Sequence, residues 1–256
     1  GFPLAWFFLK QRRPEYYGLL PDGATTKAEL EEDASRMIER GVEYAAEVQE
    51  VEFTLRQAMR TPAYWLLIAA FGAQTVTLPV LNVHGIPFLT DIGIDPLRAA
   101  GMLAVMYLSS IPARLVAGFL ADRIKKSQLR FIVAGAYLLQ ALGIAIFLLN
   151  QTIAMIYVWF IIYGIGHGLG VVLNSLMRAR YFGRKAFGSI RGVSSVFTTP
   201  VGIAAPVYAG WVYDTTGSYM TVFTLFVALL VFAAVVMSLA LPPKPPAEIS
   251  DIHKIV

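Results

Sequence analysis

Residues 108–130 read LSSIPARLVAGFLADRIKKSQLR. An apolar run that begins near Ala99 ends here at Ala121, and the next begins at Leu129. Arg114 stands inside the first run. As a helix, the segment places it about 12 Å from the Asp122–Arg123 pair that closes the run. The run exceeds the ~20 residues that cross a bilayer. A charge inside a span is costly, and it persists where it faces a bundle interior, a water-filled cavity or a bound anion. The functional reading starts from that arginine.

Six apolar runs surround it, at about 62–89, 99–121, 129–149, 153–177, 193–213 and 219–241. Each is near or above the length of a membrane span. Hydrophobic residues make up 57% of the chain, and mean hydropathy is +0.61. A soluble domain of this size rarely reaches such values. About half of the charged residues fall between Lys10 and Arg60, and most others sit in short breaks between the runs. This is the pattern of a polytopic all-α membrane protein. The net charge of +4 belongs to residues flanking spans and is not a nucleic-acid footprint. With no cysteine, the chain has no disulfide and no thiolate metal site. No Ser/His/Asp arrangement, metal-spaced cluster or nucleotide motif appears, so no cofactor is expected and the chain does not read as an enzyme.

The domain organisation read from the sequence has four parts. Residues 1–10 are the tail of a preceding transmembrane helix, because a short apolar stretch stops at Lys10 and the chain starts at Gly1 rather than Met. Residues 11–61 form a linker. Within it Thr26 and Glu29 make a capping-box pattern, and Leu30, Ala34, Met37, Ile38, Ala45 and Val48 recur at helical spacing. Residues 62–241 are a six-helix bundle, and residues 242–256 are a tail. The breaks after the second and fourth runs carry Arg123, Lys125, Lys126 and Arg130, then Arg178, Arg180, Arg184, Lys185 and Arg191. Only Arg98 lies in the other three breaks. Positive loops face the cytoplasm, so the linker, both basic loops and the C-terminal tail are expected there.

Three places resemble the major facilitator superfamily. Arg114-Leu115…Gly118…Ala121-Asp122-Arg123 is similar to the loop motif after its eighth helix. YFGRKAFGSIRG, residues 181–192, is similar to the basic loop between helices ten and eleven. Pro206…Gly210…Asp214…Gly217…Tyr219 resembles the branch of the monocarboxylate transporters and the oxalate:formate antiporters. The connector RPEYYGLLPDG, residues 13–23, looks like the central loop of bacterial members. The resemblance implies twelve helices, of which this chain holds the last six as two three-helix inverted repeats. A missing N-terminal six-helix half is then its partner and a bacterial inner membrane its location. It also implies a secondary transporter in which an arginine of helix eight, matched by Arg114, holds the carboxylate of a small organic anion. Oxalate carriers of the branch add a lysine in helix eleven. Residues 193–213 contain none, with Thr198, Thr199 and Pro200 in that region, so the expected cargo is a monocarboxylate.

Other residues carry two readings each. Arg114 binds an anion, or it snorkels and pairs with Asp122. Asp122 and Arg123 form a gating latch on a neighbouring helix end, or they are simply solvated. His84 and His167 are candidates for proton coupling, or neutral histidines bonded to carbonyls. Asn82, Tyr107, Asn174 and Tyr163 are candidate hydrogen-bonding groups of a cavity. Gly164, Gly166, Gly168 and Gly170 permit close helix packing. For the whole chain, the alternative to a transporter is a receptor or scaffold half-domain that packs with a partner.

Overall fold

The computed structural model describes residues 52–121, 123–183 and 186–244, all within the unit Val51–Val256. The expected helix tail at 1–10, nearly all of the linker, Asp122, and the C-terminal tail beyond Lys244 lie outside the described residues. Eight helices are described: α1 (Leu55–Met59), α2 (Pro62–Thr75), α3 (Thr77–Asp91), α4 (Pro96–Ala121), α5 (Leu129–Leu149), α6 (Ile153–Phe182), α7 (Phe187–Thr216) and α8 (Met220–Leu239).

Local chemistry sets these boundaries. Thr54 and Gln57 close a capping box on α1. Thr61 accepts the Tyr64 amide and Pro62 takes the first helical position of α2. Asp95 accepts the amides of Leu97 and Arg98 at 3.0 and 3.2 Å to start α4. Gly217, at φ +68°, supplies the left-handed residue that ends α7. The first apolar run is two helices, α2 and α3, joined at Val76. Pro79 explains the break, since it has no N–H to give the Thr75 carbonyl and its ring crowds that oxygen. Pro79 itself falls in the first turn of α3, where proline is tolerated.

Five stretches are long and apolar enough to cross a membrane: Pro62–Asp91, Pro96–Ala121, Leu129–Leu149, Ile153–Phe182 and Met220–Leu239. The fifth run differs from the expectation. Helix α7 has 30 residues, more than enough length, but it carries Arg191, Ser194, Ser195, Thr198 and Thr199 and so falls short in apolarity. The fourth and fifth runs also extend further than their apolar stretches. Arg178 and Arg180 lie within α6 and Arg191 within α7, so they are helix residues rather than loop residues. Their long stems reach past the helix end, which lets the helix continue through them.

Helix α6 is the centre of the bundle. It packs on α4 and on α5; α8 packs on α5 and α2, and α7 packs on α2 and α3. Glycine makes the close approaches. Gly164 and Gly168 are four residues apart and share one face, while Gly166 is turned about 200° from Gly164. A Cβ on Gly164 would overlap the Met106 carbonyl oxygen and the Ser109 hydroxyl of α4. One on Gly168 would overlap the Ser110 carbonyl. One on Gly166 would lie 2.6 Å from the Ala136 carbonyl of α5. The four-glycine series therefore binds two partners from opposite faces of one helix. At the kink, Gly202 of α7 meets Thr75, whose Cγ2 would be 3.1 Å from a Cβ there.

Two apolar clusters fill the two ends. The first joins Phe53, Tyr64, Phe71, Tyr137, Met177, Tyr181, Phe182 and Met237. There the Phe53 amide donates to the Phe182 carbonyl at 3.0 Å, and the two rings meet edge to face. The second holds Phe88, Phe147, Trp159, Phe160 and Phe223, with Phe147 stacked on Trp159 at 4.6 Å. Outward faces stay apolar, as Leu115, Phe119, Val207 and Trp211 show, which suits lipid or another protein surface better than water.

Candidate functional site

Seven residues after Tyr107, on the same face of α4, Arg114 is exposed. It makes no hydrogen bond or ion pair with a described residue. It stands about 10 Å from the end of α4, well inside the span. The glycine contacts at Ser110 and Ala113 press this part of α4 onto α6 at Gly168. The next α6 residue toward the N-terminus is His167, close enough to feel the Arg114 charge. His167 is buried, and its Nδ1 has no hydrogen-bond partner. The Tyr163 ring runs parallel to it one turn away, and the Tyr163 hydroxyl bonds Thr77 Oγ1 at 2.6 Å. On the neighbouring face Tyr107 donates its hydroxyl proton to Asn82 Oδ1, joining α4 to α3. Arg114, His167, Tyr163 and the Asn82–Tyr107 pair thus stand around the α3–α4–α6 junction. A guanidinium with no partner among the described residues can take a carboxylate through two parallel hydrogen bonds.

Two other candidates lie elsewhere. Asn174 is further along α6, where its Oδ1 accepts the Tyr137 hydroxyl of α5 at 2.8 Å. His84 ties α3 to α7 and to the turn before α8. Its Nε2 lies 2.9 Å from the Pro206 carbonyl and its Nδ1 lies 3.0 Å from the Tyr219 hydroxyl. A carbonyl can only accept, so Nε2 carries the proton and Nδ1 accepts from Tyr219. The histidine reads the motif that ends α7. Pro206 supplies the oxygen, and Tyr219 closes the other side.

At the C-terminal end of α4, Asp122 is outside the described residues. Arg123 folds back on its own helix, over the Phe119 ring at 3.7 Å, and donates to the Phe119 carbonyl at 3.5 Å. The grip between helices comes instead from Arg180 of α6, which the sequence reading passed over as a loop cation. Its two terminal nitrogens donate to the carbonyls of Ala121 and Ile124, on either side of Asp122. A helix C-terminus carries unsatisfied carbonyls and partial negative charge, so a cation from the adjacent helix completes it. The signal was present: a basic residue one turn beyond an apolar stretch, in a bundle whose α4 ends without a capping glycine. Lys126, in the same turn, is half-buried, and burial holds its ammonium below the ordinary lysine range. Replacing Arg180 by Gln is expected to cost about 2 kcal/mol, because charge-assisted bonds to buried carbonyls are lost. Thermal unfolding of the full-length protein in detergent measures it, and an unchanged midpoint would show that the α4 end needs no such cap.

Comparisons with known proteins agree with this architecture. The family model of the Major Facilitator Superfamily matches residues 1–206. The uncharacterized transporter YycB of Bacillus subtilis is 30% identical over 58% of this chain and 36% of its own length. Mouse monocarboxylate transporter 12 is 25% identical over 74% of this chain and 38% of its own. The oxalate:formate antiporter of Oxalobacter formigenes is 24% identical over 85% of this chain and 53% of its own. The chain thus spans about half or less of the curated relatives it matches. With a membrane-length helical bundle, a charged group inside it and a family model matched over most of its length, the chain belongs to the Major Facilitator Superfamily.

Proposed function

We propose that this chain is the C-terminal half of a secondary transporter that moves a small monocarboxylate by alternating access, with Arg114 holding the carboxylate. The observation that carries the reading is the Arg114 guanidinium, exposed within α4 without a partner among the described residues and near a buried histidine whose Nδ1 is unsatisfied. Relatives named for monocarboxylates and for oxalate and formate support the substrate class. The absence of lysine from α7 favours one carboxylate over two. Asn82 and Tyr107 bound the cavity beside Arg114, and His167 is the proton-carrying candidate there. His84, with both ring nitrogens engaged, is the poorer candidate.

In this reading α7 joins the five apolar stretches as a sixth span, facing the cavity and the missing half rather than lipid alone. The six form two inverted three-helix repeats. Asp122 and Arg123, with Arg180, sit at the inner gate. The linker and C-terminal tail are cytoplasmic, and the membrane is a bacterial inner membrane. The partners are the bilayer, an N-terminal six-helix half and the organic anion. No nucleic acid or metal takes part.

Reconstitution of the full-length protein in liposomes tests the proposal, with labelled acetate, lactate and pyruvate as probes and oxalate as the contrast. Saturable uptake of at least one monocarboxylate, abolished in Arg114→Ala and weakened in Arg114→Lys, is the expected result. Absence of uptake for every probe would instead favour the receptor or scaffold reading. Uptake that Arg114→Lys leaves intact would remove the arginine from the site.

A further inference from the structure

Helix α6 carries a second polar feature beyond the Arg114 site. Tyr163, His167, Asn174 and Arg178 are spaced by four, seven and four residues. At 100° per residue these four side chains fall within about 60° of one another, and the stripe runs about 22 Å along the helix. Arg114 stands beside its middle, near His167. Arg178 stands at its far end, about 16 Å beyond His167.

The surroundings of Arg178 are unusual for a cation inside a bundle. Its guanidinium lies 4.1 Å over the Phe71 ring of α2 and is only partly exposed. It makes no hydrogen bond or ion pair with a described residue. The exposed cation Arg191 of α7 and the hydroxyls of Tyr137 and Tyr64 are within electrostatic reach of it. The carboxylates of Asp91, Asp95 and Asp214 all lie toward the opposite end of the helices, where Phe88 meets Trp159. One turn before Arg178, Asn174 uses only its oxygen, on the Tyr137 hydroxyl, so its amide N–H groups remain available. Ser194 gives its one hydroxyl proton to the Ile190 carbonyl at 2.7 Å, so the buried Tyr64 hydroxyl, 3.5 Å from Ser194 Oγ, donates to that oxygen. Arg178 and the Asn174 amide both present donors here. Arg178 is half-buried, and a half-buried guanidinium whose only charged influence among the described residues is another cation is unfavourable unless an anion joins it. A face-on ring contact offsets only part of that cost.

We propose that Arg178, the Asn174 amide and Arg191 form a second anion site, which receives the carboxylate at the inner end of α6 after it leaves Arg114. The ligand class is a small monocarboxylate. That assignment rests on the substrate class proposed above, whereas the site itself rests on its own residues. Two cations at two depths of one polar stripe give the anion a route in which neither site has to release it into bare hydrocarbon. A shallow second site also lets cargo leave the deeper one without that deeper site being weak.

Arginine protection on the full-length protein tests this. Phenylglyoxal modifies arginines that are unoccupied, and mass spectrometry reads Arg114, Arg178 and Arg191 separately. The probe is acetate, lactate or pyruvate, whichever the uptake experiment selects, or acetate if none is taken up. With the probe at ten times its dissociation constant, modification of Arg178 and Arg191 should slow about tenfold, and should do so in Arg114→Lys as well. Protection of Arg114 alone overturns the second site and leaves the first. Protection of Arg178 and Arg191 alone supports the second site and counts against the first. Protection of none overturns both. A transport measurement gives the second arm. Arg178→Gln should raise the KM for efflux from the inner face several-fold while leaving the KM for uptake at the outer face unchanged. An equal change on both faces would mean that Arg178 acts on the fold rather than on the anion.

Discussion

Gly164→Ala is expected to prevent or severely weaken folding, with a loss of about 3 kcal/mol or more. The added methyl has no free volume to enter, because it would meet the Met106 carbonyl and the Ser109 hydroxyl. The serine can rotate but the backbone carbonyl cannot, so α4 must move away from α6. That movement would also separate Gly168 from Ser110 and disturb the junction that holds Arg114 near His167. Gly168→Ala should behave alike, for the same backbone reason. The controls lie in the same molecule. At Gly170 the nearest atom to a Cβ is 3.7 Å away, an ordinary contact, and at Gly118 and Gly135 nothing lies within 4 Å. Alanine at those three positions should be neutral or slightly stabilising, since it favours the helix over glycine by about 1 kcal/mol. Thermal unfolding of the five variants of the full-length protein in detergent is the measurement. Equal midpoints across the set would show that α4 and α6 are not in backbone contact.

Arg114→Ala is expected to remove specific carboxylate binding, a loss of about 100-fold or more, while folding stays intact or improves. A bidentate charge-assisted pair is worth about 3 kcal/mol in a partly desolvated site. Arg114→Lys keeps the charge but loses the fork, so binding should weaken about tenfold or more without loss of stability. The sign of the stability change separates a binding role from a structural one. An arginine without a protein partner, once removed, takes a costly charge out of the bilayer region. A structural arginine paired with Asp122 would leave that carboxylate unpaired and lower the unfolding temperature. Binding isotherms and thermal unfolding on the same preparations give both numbers. Early unfolding, with binding retained by the surviving fraction, would give Arg114 a structural role.

The parts of this architecture that were legible in the sequence depend on one residue type or one period. Runs of apolar side chains marked the spans because lipid tolerates little else. Residues 129–149 gave α5 to the residue, since charge or turn chemistry stops it at both ends. The glycine series announced close packing. Its division between two partner helices became visible only with the neighbours in place, because sequence spacing gives faces but not occupants. The break at Val76 could be placed only by counting back from Pro79 to the carbonyl it leaves without a donor. Arg178, Arg180 and Arg191 were misplaced into loops because hydropathy ends where charge begins, whereas a helix ends where its backbone bonds end. In the site, Arg114 was readable as an anomaly, a charge among apolar residues. The assignment of His84 to a tether and of His167 to the neighbourhood of Arg114 was not readable, because two histidines in apolar runs look alike until their partners are known.

The broken first span has a mechanical consequence. Helices α2 and α3 have 14 and 15 residues, so each is a rod of about 21–23 Å, shorter than the hydrocarbon it helps to cross. The rods meet at one residue, and at that depth Thr75 touches Gly202 of α7, between Pro200 and Pro206. Two weakened helices therefore cross where each is easiest to bend. Compliance is concentrated in a thin layer at mid-depth, with a stiff aromatic block on either side. A load applied at one end of such a beam is absorbed at the crossing rather than passed along to the other end.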